Sequence, residues 1–205
     1  MPETSVVTLL FCDLVGSTEL LTSLGDDAND EVRRSLLSAL AAEARKHRGT
    51  VVKSAGDGMM VAFRTSAVDA VACAVAMQRA AAKEARNGVP LALELRVGVS
   101  SGEASHEDGD WFGTPVVEAA RLESAAQPGQ ILVSEVVRSI VGTRGGVTFR
   151  AAGKREFKGF ARPVPVVEIV WRDASTPRPA RRRTPRRRGR LLVGGAGAAA
   201  VIIAA

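Results

Sequence analysis

Two acidic turns hold the residues best suited to chemistry in this 205-residue chain. At the first, an apolar strand predicted over residues 6–11 leads to Asp13 and then to Gly16, Ser17 and Thr18 at a predicted helix start. A carboxylate at a strand end beside free helix amides suits a metal ion that carries an anionic phosphate. An ordinary turn followed by a helix N-cap has the same pattern, so this stretch alone leaves both interpretations open.

The second acidic turn is Ala-Gly-Asp-Gly around Asp57, flanked by two short apolar strands. This composition is typical of a tight hairpin. Two carboxylates at the ends of two strands can share one Mg²⁺ or a pair of ions. Together, the two turns favour a metal site formed by Asp13 and Asp57.

The segments Phe-x-Asp-Leu-x-Gly-Ser-Thr, residues 11–18, and Lys-x-x-Gly-Asp-Gly, residues 53–58, carry a family resemblance. They resemble the two metal-binding segments of the class III nucleotidyl cyclases, the adenylate and guanylate cyclase catalytic domain. The resemblance extends over residues 6–171. It implies an α+β fold, a ferredoxin-like α/β sandwich with a mainly antiparallel sheet. It also implies that Asp13 and Asp57 bind two Mg²⁺ or Mn²⁺ ions per active site.

The reaction implied by the resemblance is intramolecular. The ribose 3′-oxygen attacks the α-phosphate, pyrophosphate leaves and a 3′,5′-cyclic nucleotide remains. The amides of residues 14–18, including those of Gly16, Ser17 and Thr18, are expected to support the phosphates. Lys158, in Phe-Lys-Gly-Phe, matches a family lysine that contacts the triphosphate, with a surface lysine as the alternative.

Lys53 and Asp110 match the two base-selecting positions of the family and imply ATP as the substrate. A lysine donates to a ring nitrogen of adenine, and an aspartate accepts from its 6-amino group. Guanine presents the opposite polarity, with an O6 acceptor and an N1–H donor. Taken alone, either residue would be interpreted as a solvated surface charge.

Residues 113–122 resemble the helix of the family that contacts the transition state. Arg121 matches its catalytic arginine, which contacts the α-phosphate as charge develops. Val117 stands where the family has an asparagine, and valine offers no hydrogen bond. The leading hypothesis is an adenylate cyclase of reduced activity. The alternative is a catalytically weak or inactive nucleotide-binding pseudo-cyclase that acts as a regulatory or partner subunit.

The resemblance also predicts the oligomeric state. In the family, the metal aspartates and the catalytic arginine of one site come from opposite subunits. A chain that carries both sets therefore implies a head-to-tail homodimer, with a heterodimer with a related chain as the alternative.

Hydrophobic periodicity predicts interleaved helices and strands. Helices are expected over 17–24, from a break at 25–27 to about 47, and over 66–86, 116–126 and 135–141. Besides the strands at the two acidic turns, strands are expected over 91–101, 131–133, 147–151, 155–157 and 164–171. The strand over 91–101 should have one polar face, and 102–109 should be a loop that leaves His106 exposed. Tight hairpins exclude a purely parallel sheet, so helices should cover one mainly antiparallel sheet.

Charge and composition divide the chain into three expected segments. These are a catalytic domain over 1–173, a Pro/Arg-rich basic linker over 174–190 and an apolar segment over 191–205. The eight arginines after Asp173 give the tail a charge of +8 within a total of +6, so the domain itself is close to neutral. The arginine run has no interleaved aromatic residues and no folded reader, so we expect no specific nucleic-acid binding.

The uncharged last segment follows the arginines directly, which predicts the start of a transmembrane helix. The catalytic domain would then be attached to the cytoplasmic face of a membrane. A nonspecific anion-binding tail and a flexible apolar end are the alternatives. No signal segment precedes the domain, and Cys12 and Cys73 lie in apolar runs without metal-ligand spacing. Both observations favour a cytoplasmic domain with buried, reduced thiols.

Overall fold

A computed structural model of the chain describes residues 3–84 and 93–172. The strands are β1 (Glu3–Val15), β2 (Thr50–Ala55), β3 (Gly58–Phe63), β4 (Glu94–Glu107), β5 (Asp110–Phe112), β6 (Ile131–Ser134), β7 (Thr148–Arg155) and β8 (Val164–Val170). The helices are α1 (Ser17–Leu24), α2 (Asp26–Lys46), α3 (Ala67–Glu84), α4 (Thr114–Ala125) and α5 (Glu135–Val141). Among these described helices, none has the length and apolar character needed to cross a membrane. The predicted basic linker and apolar segment lie outside the described residues.

All eight strands form one sheet, in the order β2-β3-β1-β4-β6-β8-β7, with β5 paired to β4. The β4–β6 pair is parallel, and the other pairs are antiparallel. This confirms the predicted α+β fold with a mainly antiparallel sheet. β1 is an interior strand between β3 and β4, and because strand side chains alternate between faces it contributes to both sides of the sheet.

One face of the sheet is covered by α1, α2, α3 and α5. On α2, the buried residues Leu36, Leu40 and Ala44 recur at helical spacing and pack into the large core, as the periodicity predicts. Cys12 of β1 and Cys73 of α3 are free, buried thiols in this same core. Burial raises the pKa of Cys12 to about 12, so its thiol stays protonated at neutral pH.

The other face of the sheet carries α4 alone among the described helices. Gly98 of β4 allows this helix to lie directly on the sheet. A Cβ at Gly98 would be 2.2 Å from both the Ala119 carbonyl oxygen and the Glu123 amide nitrogen. No side chain fits in that space, so glycine sets the close approach of α4 to β4.

Three strands differ from the sequence-based prediction. β1 was expected to end at residue 11, but pairing with β4 extends it through Asp13 to Val15. β4 continues through the expected loop to Glu107 and turns into β5 at Asp108 and Gly109, which both have positive φ. The strands expected over 147–151 and 155–157 are one strand, β7, with an irregularity between residues 151 and 154. In each case, hydrogen bonds to a neighbouring strand stabilise the extended conformation, although the sequence of the segment lacks the hydrophobic alternation typical of a strand.

The polar face of β4 is also more covered than expected. Ser100 is fully buried and donates to Glu118 of α4, because the helix lies over this part of the strand. The prediction of a half-buried strand is therefore wrong over residues 98–101, because α4 covers the polar face there.

Candidate active site

Asp13 and Asp57 lie on adjoining segments of the sheet. Asp13 pairs with Gly58 of β3, and the backbone amide of Leu14 donates to the Asp57 carbonyl oxygen at 3.3 Å. The turn before β3 is tight because Gly56 has a positive φ of 58°. Antiparallel pairing of β1 with β3 therefore brings the two acidic segments side by side.

Arg96 of β4 lies next to Asp13, although no functional role is predicted for Arg96 from the sequence alone. The two residues are cross-strand partners, and the Arg96 guanidinium donates a hydrogen bond to the Asp13 carboxylate. On its other side, Arg96 Nε lies 3.2 Å from Glu123 Oε1 of α4. Burial raises the pKa of Glu123, and the nearby Arg96 cation opposes that shift. The Asp13 hydrogen bond raises the pKa of Arg96, so its charge is retained.

The donor set fits a metal that arrives with a nucleotide. Among the described residues, no group of three or more His, Cys, Asp or Glu side chains could hold an ion by itself. Mg²⁺ commonly binds proteins through one or two carboxylates and completes its shell with substrate phosphates and water. Asp13 and Asp57 match that arrangement. An ion at Asp13 also has to compete with Arg96 for the carboxylate.

Fewer backbone amides are free over residues 14–18 than the sequence predicts. The Leu14 amide is already bonded to the Asp57 carbonyl, and Val15 is paired in β1. Gly16 has a left-handed conformation, φ 79°, and α1 starts directly after it at Ser17. The amides that can face an anion are therefore those of the first turn of α1, including Ser17 and Thr18.

Lys53 and Asp110 form a direct ion pair although 57 residues separate them. Lys53 Nζ lies 2.5 Å from Asp110 Oδ2, and the Trp111 amide donates to Asp110 Oδ1 at 2.9 Å. The bond from Lys53 lowers the pKa of Asp110, so the carboxylate stays ionised. Because half of the Lys53 side chain is exposed, this pair is accessible to a ligand.

A β-bulge turns Lys53 toward this side of the sheet. Val51 pairs with Val61, but the next pair is Lys53 with Met60, so residue 52 is extra. Met60 packs on the face that carries α4. Without the extra residue, the pairing of Lys53 with β3 would shift by one residue, and its side chain would face the large core instead.

His106 was predicted to be exposed in a loop, and this prediction is wrong. It lies in β4, half-buried, with its ring centroid 4.8 Å from that of Trp111. Arg64 lies on the same indole, 5.8 Å from the ring centroid. This packing fixes Trp111 and, through its amide, Asp110.

Arg121 and Val117 lie one turn apart on α4, on the same side of the helix. Val117 is 44% exposed, and Arg121 Nε is buried without a hydrogen-bond partner among the described residues. No hydrogen bond or ion pair within residues 3–84 and 93–172 joins Arg121 to Asp13 or Asp57.

Lys158 is exposed between β7 and β8, beside a small pocket lined by residues of its own loop. The described part of the chain shows no ion pair from Lys158 to Asp13 or Asp57. A larger groove of about 730 Å³ lies between α2 and α3 on the opposite face. None of the predicted site residues lines this groove. We therefore assign the candidate site to the α4 face, where the predicted metal-binding and base-selecting side chains lie.

The chain matches the model of the adenylate and guanylate cyclase catalytic domain over residues 1–169. It is 37% identical over 163 residues to a putative adenylate cyclase 3 of Rhizobium meliloti, covering 76% of this chain and 27% of that protein. It is 34% identical over 167 residues to a pH-sensitive adenylate cyclase of Mycobacterium tuberculosis, covering 78% of this chain and 39% of that protein. The chain thus spans well under half the length of these two curated relatives.

Solved structures agree with the family match. The adenylyl cyclase CyaB from P. aeruginosa superposes with a TM-score of 0.73 at 29% identity, covering 83% of this chain and 96% of that one. The guanylyl cyclase Cya2 superposes with a TM-score of 0.68 at 28% identity, covering 82% and 93%. This chain therefore belongs to the adenylate and guanylate cyclase catalytic domain family.

Proposed function

We propose that this cyclase is an adenylate cyclase, which converts ATP to 3′,5′-cyclic AMP and pyrophosphate. The observation that carries the proposal is the Lys53–Asp110 pair. It presents one cationic donor and one anionic acceptor side by side on an accessible surface. Adenine offers the complementary ring-nitrogen acceptor and amino donor, whereas guanine offers the reverse.

Asp13 and Asp57 would hold the Mg²⁺ or Mn²⁺ ions, two per site. When bound, the ions lower the pKa of the ribose hydroxyl and offset the charge of the triphosphate. The backbone bond between Leu14 and Asp57 keeps the two carboxylate segments in register. Arg96 pairs with Asp13, and with the metal and nucleotide bound its guanidinium would be available to the phosphates.

Arg121 would stabilise the charge that develops on the α-phosphate. Its buried, unpartnered Nε supports this role, because a buried guanidinium donor is normally satisfied and here a ligand can supply the acceptor. Gly16, Ser17 and Thr18 would support the phosphates at the start of α1, and Lys158 would contact the triphosphate from its exposed loop.

We further propose that the site is completed at a head-to-tail homodimer interface, with a related cyclase chain as the alternative partner. Two features support this. Arg121 makes no bond to the metal aspartates within the described chain, and α4 is the one described helix that packs on its face of the sheet. Val117 is apolar and 44% exposed on α4, as expected of a residue that a partner subunit covers.

The second candidate function is the pseudo-cyclase, and Val117 favours it because a valine beside Arg121 donates no hydrogen bond. Cyclic nucleotide formation by the full chain from Mn²⁺-ATP and Mn²⁺-GTP separates the hypotheses. Cyclic AMP from ATP, with little cyclic GMP, supports the adenylate cyclase. Nucleotide binding without either product would establish the pseudo-cyclase, and equal kcat/KM for both nucleotides would overturn the assignment of Lys53 and Asp110.

A further inference from the structure

Three charged side chains from three different elements form a continuous chain beside the predicted metal site. Asp13 of β1 contacts Arg96 of β4, and Arg96 contacts Glu123 of α4. Glu123 has no assigned part in the proposed reaction. Its carboxylate is nevertheless placed one guanidinium away from the metal carboxylate.

The Arg96–Glu123 contact lies in a largely enclosed position. Only 14% of the Glu123 side chain is exposed. Arg96 Nε and Glu123 Oε1 are both buried, have no hydrogen-bond partner among the described residues and lie 3.2 Å apart as an ion pair. The other carboxylate oxygen of Glu123, Oε2, accepts from Ser124 Oγ at 3.3 Å. Burying an ionised carboxylate is costly unless a cation compensates it, so Arg96 offsets the cost of burying the Glu123 carboxylate.

The backbone holds Glu123 in place independently of its side chain. Its amide lies over Gly98, where even a Cβ would not fit between α4 and β4. Glu123 therefore presents its carboxylate to the Nε edge of Arg96 from a fixed position. The terminal nitrogen Nη2 of the same guanidinium is left to Asp13.

We propose that Glu123 is a positioning residue that sets the metal affinity of Asp13 by sharing the Arg96 guanidinium. The proposal rests on the proposed function in one respect, namely that Asp13 is a metal carboxylate. With Glu123 ionised, the charge of Arg96 is divided between two carboxylates, which weakens its hold on Asp13. Without that charge, Arg96 pairs with Asp13 alone and competes more strongly with an incoming divalent ion.

Glu123 also determines what Arg96 does after the exchange. Once a cation takes the Asp13 carboxylate, Glu123 still holds the Nε edge, so Arg96 is not repelled from the site by the new positive charge. Its terminal nitrogens would then be free to donate to the phosphates that accompany the ion. Glu123 therefore couples metal binding to phosphate binding.

The test compares Glu123→Gln with the parent full chain, because glutamine keeps the shape and removes the charge. Mn²⁺ binding is measured by electron paramagnetic resonance, for Mn²⁺ alone and with 3′-deoxy-ATP, which lacks the attacking hydroxyl. Binding to the nucleotide alone is subtracted. We expect Mn²⁺ affinity to fall about tenfold, within the range typical of residues that orient metal ligands. Glu123→Asp, which retains the charge, should recover part of the loss.

The matched control is Glu118→Gln, on the same helix. Glu118 accepts from Ser100 of β4 and does not contact Arg96, so its neutralisation should leave Mn²⁺ affinity unchanged. In an Arg96→Gln background, Glu123→Gln should have little further effect, because the mediating guanidinium is gone. Thermal unfolding of each variant shows whether the fold is retained.

Three results would overturn the proposal: unchanged Mn²⁺ affinity in folded Glu123→Gln, an equal loss in Glu118→Gln, or an undiminished loss in the Arg96→Gln background. Failure of the proposed function has a different signature. In that case the parent chain forms no cyclic nucleotide, while the Mn²⁺ titrations still report on Glu123.

Discussion

Replacing Val117 with asparagine tests whether one missing hydrogen-bond donor limits turnover. Val117 lies four residues before Arg121 on α4 and is 44% exposed, so it is not a packed core residue. Valine and asparagine have similar helix propensities. The substitution should therefore leave α4 intact and present an amide on the side that carries Arg121.

The burial of Val117 limits how much stability the substitution can remove, and the worth of a single hydrogen-bond donor limits how much it can raise the rate. Full burial of a valine is worth about 1.5–3 kcal/mol, and Val117 is only partly buried, so unfolding free energy should fall by no more than about 1 kcal/mol. One preorganised donor to a developing charge is typically worth about 10²–10³ in rate. Enzymes supply about 8–23 kcal/mol in total, so the parent chain should be slow but active.

We therefore expect Val117→Asn to raise kcat at least about tenfold, which corresponds to about 1.4 kcal/mol of activation free energy. KM should change little, because the new bond forms mainly in the transition state. The assay is initial-rate cyclic AMP formation from Mn²⁺-ATP by the full chain. Val116→Asn is the matched control, since Val116 packs against the core under α4 and its replacement should only destabilise the fold. Unchanged or lower kcat in a folded Val117→Asn variant would refute the reasoning.

The other predictions concern the metal carboxylates, the base-selecting residues Lys53 and Asp110, and the contact between α4 and β4. Asp13→Ala and Asp57→Ala should each lower cyclic AMP formation at least about 100-fold at saturating Mn²⁺ without unfolding the chain; half the parent rate in either would exclude a role in metal binding. Lys53→Glu combined with Asp110→Cys should erode the preference for ATP over GTP, measured as the ratio of kcat/KM values. Gly98→Ala should lower the free energy of unfolding in urea by about 3 kcal/mol, because its Cβ would meet the α4 backbone at 2.2 Å.

Gly102→Ala is the control for the helix contact, because it lies on the same strand. A Cβ at Gly102 would meet its nearest atom, in Pro115, at 3.6 Å, which is an ordinary contact. Equal stabilities of the two variants would show that α4 can move away from β4.

Much of the fold could be predicted because its signals are local. The helical spacing of Leu36, Leu40 and Ala44 predicts the buried face of α2, and the structure confirms it. The boundaries of α1 and α5 agree with the prediction for the same reason, since glycines end both helices. The acidic turn at Asp57 could be recognised from its own glycines.

The missed features depend on neighbouring strands. Residues 102–107 show no hydrophobic alternation, yet they form a strand because β1 and β5 supply their hydrogen bonds. Arg96 appeared as one polar residue of an alternating strand, and Glu123 as one charge on a helix. Their importance follows only from the register of β4 against β1 and the seating of α4 on Gly98.

The chemical groups that are available can be identified from the amino-acid sequence: two carboxylates in turns, a lysine and an aspartate of opposite charge, and an arginine on a helix. Which of these groups come into contact depends on the folding of distant segments onto one another. Asp13 and Arg96 are 83 residues apart, and they are neighbours because antiparallel pairing places them opposite each other. Lys53 reaches Asp110 because one extra residue in β2 shifts the pairing register and turns its side chain out of the core. Since side chains alternate along a strand, a single bulge decides the face on which a residue lies.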